Sequence, residues 1–205
     1  MTTLPDDPAT MSAADHHPAG EPDPAPFRHH DVLSSTRVYD SPWCALDRHE
    51  IRLQDEETGE YHVFRVPDAI CVLPVTTGGD VVMVWQHRHP HGRTHWELPA
   101  GRINHGEAPA VAAERELLEE TGYRAGELVE VTGFFPINGI SDHYAHVFLA
   151  KNCEYAGEPE LEDAERLLVR TRPLNEVRRQ LLEGQLHDGF TALTLFYGLQ
   201  KLGRL

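Results

Sequence analysis

Four glutamates, Glu114, Glu116, Glu119 and Glu120, fall within a seven-residue window that also holds Arg115. On a helix, residues four apart lie nearly above one another, so Glu116 and Glu120 share a face and Glu119 joins its edge. Like charges at such spacings cost roughly a few tenths of a kcal/mol per pair. A divalent cation reverses the sign of that interaction, and an all-oxygen, partly hydrated donor set suits Mg²⁺ or Mn²⁺ rather than zinc. Arg115 is spaced to pair with Glu119 at i,i+4 and orient it. Val111 and Leu118 lie on nearly the opposite side, with Leu117 on one flank, so the helix is expected to have one face for a core and one for ligands. Taken alone, a Glu-rich helix is more often solvated surface.

The elements that must position these carboxylates are legible around them. Residues 108–121 carry the helical pattern, and Gly122 suits the position just past a helix end. Upstream, Trp96-Glu97-Leu98 reads as a short strand stopped by Pro99. The stretches AICVLPVT and VVMVWQHR read as a hairpin buried on both faces, turning at Thr77-Gly78-Gly79-Asp80. Before them, VLSSTRVY, CALDRHEIRLQ and YHVFRVP alternate apolar and polar residues as antiparallel strands do. After the helix, LVEVTGFFP, HYAHVFLAKN and ERLLVRTRP are strand-like, and residues 174–183 and 190–202 read as closing helices. Strands, helix, strands, helices in that order favour an α/β fold, a mixed sheet with helices on both faces.

Composition narrows the function classes. The chain has 205 residues, 40% of them hydrophobic, enough for one well-formed core. A net charge of −15 argues against a nonspecific binder of nucleic acid, so an anionic substrate needs local help such as a metal ion. Cys44, Cys71 and Cys153 are odd in number and far apart, which fits a reducing, cytoplasmic setting rather than a disulfide framework or a zinc site. With neither a signal peptide nor a bilayer-spanning apolar run in the sequence, no membrane partner is expected. Residues 1–30, rich in Pro, Ala, Asp and His, read as a disordered tail; 31–66 are N-terminal strands and 67–205 the main domain. His16, His17, His29 and His30 lack fixed spacing and read as solvated. In QHRHPHGRTH, His87 and His89 are expected on one strand face and His91 and His95 in a turn, again without a zinc framework.

Spacing over the wider window changes the balance for the carboxylate helix. The pattern is Gly101, five residues, Glu107, seven residues, Arg115-Glu116, Leu117, one residue, Glu119-Glu120, one residue, Gly122, Tyr123. This resembles, at every defined position, the box of the Nudix hydrolases, which cleave a nucleoside diphosphate linked to another group. The resemblance implies a Nudix α/β/α sandwich with a mixed central sheet and an additional N-terminal antiparallel sheet. It also implies Mg²⁺ held by Glu116, Glu120 and Glu119 with the Ala100 carbonyl, and a loop and helix braced by Glu107 and Arg115. Gln86-His87-Arg88 and WELPAG further resemble the ADP-ribose pyrophosphatase branch, whose N-terminal sheet builds a homodimer. Arg88, Trp96 and Glu97 then become candidates for substrate contact, Arg88 for phosphate and Trp96, like Phe135, for stacking on a base or for core packing. That branch commonly carries Ser-Pro-Gly after the box, where this chain has Asn138-Gly139 with Pro136 two residues earlier. Asn138 and Asp142, with Ser141, are therefore candidates either to contact a sugar hydroxyl or to shape the turn. The branch also implies a general base in the loop GEPELEDAER, Glu165 first and Glu162 second. The expected activity is hydrolysis of a nucleoside diphosphate sugar, ADP-ribose foremost. Alternatives are a pyrophosphatase for GDP-mannose or nucleoside triphosphates, and a noncatalytic Nudix-type ligand sensor.

Overall fold

The computed structural model describes residues 30–53, 57–161 and 166–205. The chain divides into two compact units, one comprising the residues up to Val66 with Gly139–Asp142, the other Pro67–Asn138 and His143–Leu205.

In the first unit, β1 (Asp31–Asp40), β2 (Ala45–Arg52) and β3 (Thr58–Arg65) form an antiparallel sheet in that order. Alternation along β2 turns Ala45, Asp47 and Ile51 inward and leaves Arg48, Glu50 and Arg52 exposed. The inward Asp47 accepts hydrogen bonds from Arg37 on β1 and from Arg65 Nε on β3 at 3.0 Å. Burial works to raise its pKa, but the two guanidiniums outweigh that and hold it below the usual carboxylate range. β1 departs from half-buried alternation: all ten residues are exposed, Val32, Leu33, Val38 and Tyr39 among them. The segment 139–142 is fastened to β3, with Phe64 N donating to Ile140 O (2.7 Å), Ser141 Oγ to Phe64 O (2.7 Å), Tyr61 to Gly139 O and Arg65 to Asp142.

The second unit is built on β4 (Ala69–Thr76), whose side chains alternate between two cores. Ile70 and Val72 join Ala112, Ala113, Leu117, Phe148 and Ala150 on the face covered by α1 (Pro109–Thr121). Cys71 and Leu73 join Val81, Met83, Leu98, Leu149, Val177 and Leu195 on the opposite face, covered by α2 (Leu174–Leu182) and α3 (Gly189–Lys201). The expected α/β/α sandwich with an additional antiparallel sheet is what the chain forms. β10 (Ala145–Tyr155) runs parallel to β4, and β9 (Glu127–Phe134) and the two-residue β8 (Tyr123–Arg124) pair antiparallel with β10.

The expected hairpin opens almost at once. β5 (Asp80–Arg88) pairs with β4 at Val75↔Val81 and then runs between β6 (Arg93–Glu97) and β11 (Leu167–Pro173). The edge of β4 that β5 leaves is taken by β7 (Ala100–Arg102), through Cys71↔Ala100 and Ile70↔Gly101. That exchange brings Ala100 and Gly101 under α1. The histidine placement also differs from expectation: His89–His91 form a single 3-10 turn, so His89 is not on the strand, whereas His95 lies within β6 rather than in a turn.

Candidate functional site

α1 starts with Pro109 in its first turn, where a missing N–H costs nothing, and Ala108 gives it no side-chain cap. It ends at Gly122, whose φ of 74° places it in the left-handed region and whose N–H reaches Leu118 O at 2.7 Å. A Cβ there would also stand 1.9 Å from the Gly157 carbonyl oxygen. The core face of the helix consists of Ala112, Ala113 and Leu117; Val111 is exposed and Leu118 only half-buried, contrary to the expected apolar stripe. Small alanines let α1 sit close to the sheet, which a Val111/Leu118 face would not.

The carboxylates divide by depth. Glu120 is 3% exposed and accepts a hydrogen bond from the Ala100 backbone N–H at 2.9 Å. Glu116 points onto β7 at Gly101, where a Cβ would lie 2.0 Å from its carboxyl carbon. A side chain at position 101 would therefore displace the Glu116 carboxylate from this place. Glu119, at 42% exposure, sits at the rim. Arg115 spreads its five N–H groups over this cluster: Nε and Nη2 donate to Glu107 at 2.8 and 2.9 Å, Nη2 also to Arg102 O at 3.0 Å, and Nη1 to Glu116 and Glu119 at 2.8 and 3.0 Å. Glu107 in turn accepts from the Asn104 N–H at 2.8 Å, which closes the loop between β7 and α1. The Arg115 hydrogen bond is the main cause that lowers the Glu107 pKa to about 2, and the same bond leads those that raise the arginine's own.

A second polar cluster lies on β5 and β6. Directly opposed residues on antiparallel strands share a face; the pairs Gln86↔His95 and Val84↔Glu97 therefore put Gln86, Arg88, His95 and Glu97 on one side. Glu97, 2% exposed, is clamped by Arg88, with Nε 3.1 Å from both carboxylate oxygens and Nη2 2.6 Å from Oε2. His95 Nε2 approaches Glu97 Oε1 at 3.1 Å. For Arg88, desolvation is the largest influence and lowers its pKa, but Glu97, with smaller fields from Asp188 and Glu120, raises it overall. Glu120 and the clamp thus share one electrostatic neighbourhood. Gln86 Oε1 is buried without a hydrogen-bond partner.

The remaining candidates stand elsewhere. Trp96 occupies the other strand face, packed in the α2/α3 core, 5.2 Å from the Trp85 ring and 5.2 Å from the Arg172 guanidinium carbon. Phe135 stacks edge-on against Tyr144 at 5.0 Å. Asn138 is exposed in the turn after β9, and Asp142 is bound to Arg65. Glu162 and Glu165 lie outside the described residues. The His95 contact escaped the sequence reading; the i, i+2 spacing of His95 and Glu97 on a strand was the available signal. A cleft of about 430 Å³ beside the end of α1, lined by Thr121, Tyr123, Tyr155, Leu161 and residues of β11, includes none of the box carboxylates.

The donor set can be tested against a hard cation. Every candidate ligand offers oxygen, two of the three carboxylates are largely buried and one is at the rim, and Gly101 leaves room at Glu116. Among the described residues no three His, Cys, Asp or Glu side chains converge as a finished cage. The all-oxygen donor set suits Mg²⁺, a hard cation that keeps part of its water, better than it suits zinc.

Residues 65–193 match the NUDIX domain model, which spans more than half of the chain. The chain belongs to the Nudix family. It is a Nudix hydrolase, and its residues 31–64 match the nucleoside diphosphate sugar hydrolase N-terminal domain. Similar proteins include the ADP-ribose pyrophosphatase of Bacillus subtilis (strain 168), 35% identical over 81% of this chain and 90% of that protein. Another is the CMP-5'-(N-acetyl-N-hydroxy-3-aminopropyl)phosphonate hydrolase of Streptomyces rubellomurinus, 32% identical over 77% of this chain and 76% of that one. A solved structure described as an ADP compounds hydrolase superposes with a TM-score of 0.76 at 18% identity, over 88% of this chain and all of its own, a likeness of fold.

Proposed function

We propose that this Nudix hydrolase cleaves the pyrophosphate bond of a nucleoside diphosphate sugar in the presence of Mg²⁺, with ADP-ribose the leading substrate and AMP and a sugar phosphate the products. The observation that carries the reading is the carboxylate set of α1: Glu116 and Glu120 set against β7, Glu119 at the rim, and Arg115 braced to Glu107. The N-terminal domain match and the Bacillus relative support the substrate class.

Glu116, Glu120 and Glu119, with the Ala100 carbonyl, would hold Mg²⁺ or Mn²⁺. When bound, such an ion supplies charge neutralisation at the pyrophosphate and acidifies a water. The protein's own residues do the rest. Arg115 and Glu107 hold the carboxylates in position, Gly101 gives Glu116 its space, and Arg88 presents a guanidinium suited to two phosphate oxygens. Asn138 shapes or contacts the sugar end, and Glu165, or else Glu162, takes the proton from the attacking water. A homodimer formed through the N-terminal sheet accounts for the exposed Val32, Leu33, Val38, Tyr39 and Trp43. A monomer by light scattering at micromolar concentration would remove that part.

The Streptomyces relative favours a second reading, in which the substrate is a CMP-linked phosphonate. A panel of ADP-ribose, ADP-glucose, GDP-mannose, UDP-glucose, a CMP-linked phosphonate and nucleoside triphosphates, with Mg²⁺ and product identification, separates the two. Fastest release of AMP from ADP-ribose is the expected result. Preference for the CMP-linked phosphonate would replace the substrate, and binding without turnover would point to a ligand sensor.

A further inference from the structure

We infer that His95 is a positioning residue for Arg88, acting through the buried carboxylate of Glu97; this rests on the reading of Arg88 as the diphosphate contact. Glu97 is almost wholly buried, and a buried carboxylate is costly unless its oxygens are fully hydrogen-bonded. Among the described residues its side-chain partners are Arg88 and His95. His95 Nε2 lies 3.1 Å from Oε1, and because an ionised carboxylate can only accept, this nitrogen supports Glu97 as a donor when it carries a proton.

The two partners do different work. Arg88 covers Oε2 most closely through Nη2 and shares Nε between both oxygens, while its Nη1 takes no part in the clamp. His95 serves Oε1, the oxygen that Arg88 reaches only through the shared Nε. With His95 in place, Arg88 satisfies Glu97 by one edge and keeps its remaining N–H groups for an incoming phosphate; the Arg88 side chain is still 41% exposed. Without it, the guanidinium is the sole partner of both oxygens and is drawn onto the carboxylate. Position supports this division, because β5–β6 register sets His95 opposite Gln86, two residues along β5 from Arg88 on the same face, and between Arg93 and Glu97 on β6. The edge contact of His91 with His95, ring centroids 5.1 Å apart, further limits how the imidazole turns.

The test uses the full-length protein and the best-cleaved compound of the panel. In His95→Leu, Oε1 keeps only the Nε that Arg88 shares between both oxygens, and KM is expected to rise about fivefold or more while kcat stays within about twofold, as loss of one polar contact to a charged group predicts. His95→Gln, whose amide nitrogen falls near the position of Nε2, should restore KM to within about twofold. His95→Asn, polar but too short to reach, should behave like the leucine variant and keeps the test alive if His95→Leu does not fold. Arg88→Lys, which loses the fork but keeps the charge, should raise KM about tenfold. Unchanged KM in both His95→Leu and His95→Asn, beside a raised KM in Arg88→Lys, overturns the role of His95 and leaves the Arg88 reading intact. Unchanged KM in Arg88→Lys overturns the Arg88 reading itself and, with it, this proposal.

Discussion

α1 and α3 are both thirteen residues long and cover opposite faces of one sheet, yet they are made stable in opposite ways. α3 follows the ordinary rules. Asp188 caps it, accepting from the Thr191 N–H at 2.7 Å, and Thr191, Thr194, Leu195, Gly198 and Leu199 disappear into the core. α1 has no side-chain cap and carries four glutamates, and its apolar contact is made largely by two alanines and Leu117. What offsets that deficit is Arg115 with Glu107, together with the Glu120 contact to β7. A helix that breaks local stability rules and is repaired by a polar network is where function is expected; one that obeys them is scaffold.

Variants can break this contrast. Glu120→Gln keeps the shape of α1 and removes one negative charge from the ligand face; turnover should fall by about a hundredfold or more while the unfolding midpoint barely moves. Equal turnover would make α1 scaffold as well. Gly101→Ala acts from the strand, since its methyl would lie 2.0 Å from the Glu116 carboxyl carbon. Displacing that carboxylate should lower kcat by about a hundredfold, and a crystal structure should show Glu116 moved away from β7.

The acid side of the stability curve sharpens the comparison further. Glu107 is held at about 2, below an ordinary carboxylate, so its contribution to stability is complete above the ordinary value and is lost as pH falls from there towards 2. Denaturant unfolding at about pH 6 and about pH 3 should show a larger loss for the wild type than for Glu107→Gln. Parallel losses would mean that the Arg115 network does not hold the loop. The smallest effect is expected on the other helix: Asp188→Ala should cost about 1 kcal/mol of stability through the lost cap, with turnover at 25 °C changed less than about twofold.

The same contrast explains what the sequence made legible. Long elements were readable, because alternation in β2 and the apolar runs of β4 and β5 arise from period and burial alone. β7 and β8, three and two residues long, have no period to detect. The core face of α1 was misread because large apolar residues were weighted over Ala112 and Ala113, whose small size permits close packing. Helix spacing was enough to put Glu116, Glu119, Glu120 and Arg115 near one another, and the family resemblance implied Glu107 beside them. Spacing could not give the place of Gly101 beneath Glu116, which depends on β5 leaving the edge of β4. Nor could it give the His95 contact with Glu97, which depends on cross-strand register. Trp96 illustrates the reverse difficulty: one step along β6 from Glu97, it faces the other core.

The most direct test of the central claim is calorimetric titration of Mn²⁺ into the wild type and into Glu116→Gln and Glu120→Gln, each first shown to be folded. Binding weakened by about tenfold or more in both variants is the predicted result. Equal binding in all three proteins would contradict the assignment of the α1 carboxylates as the cation site.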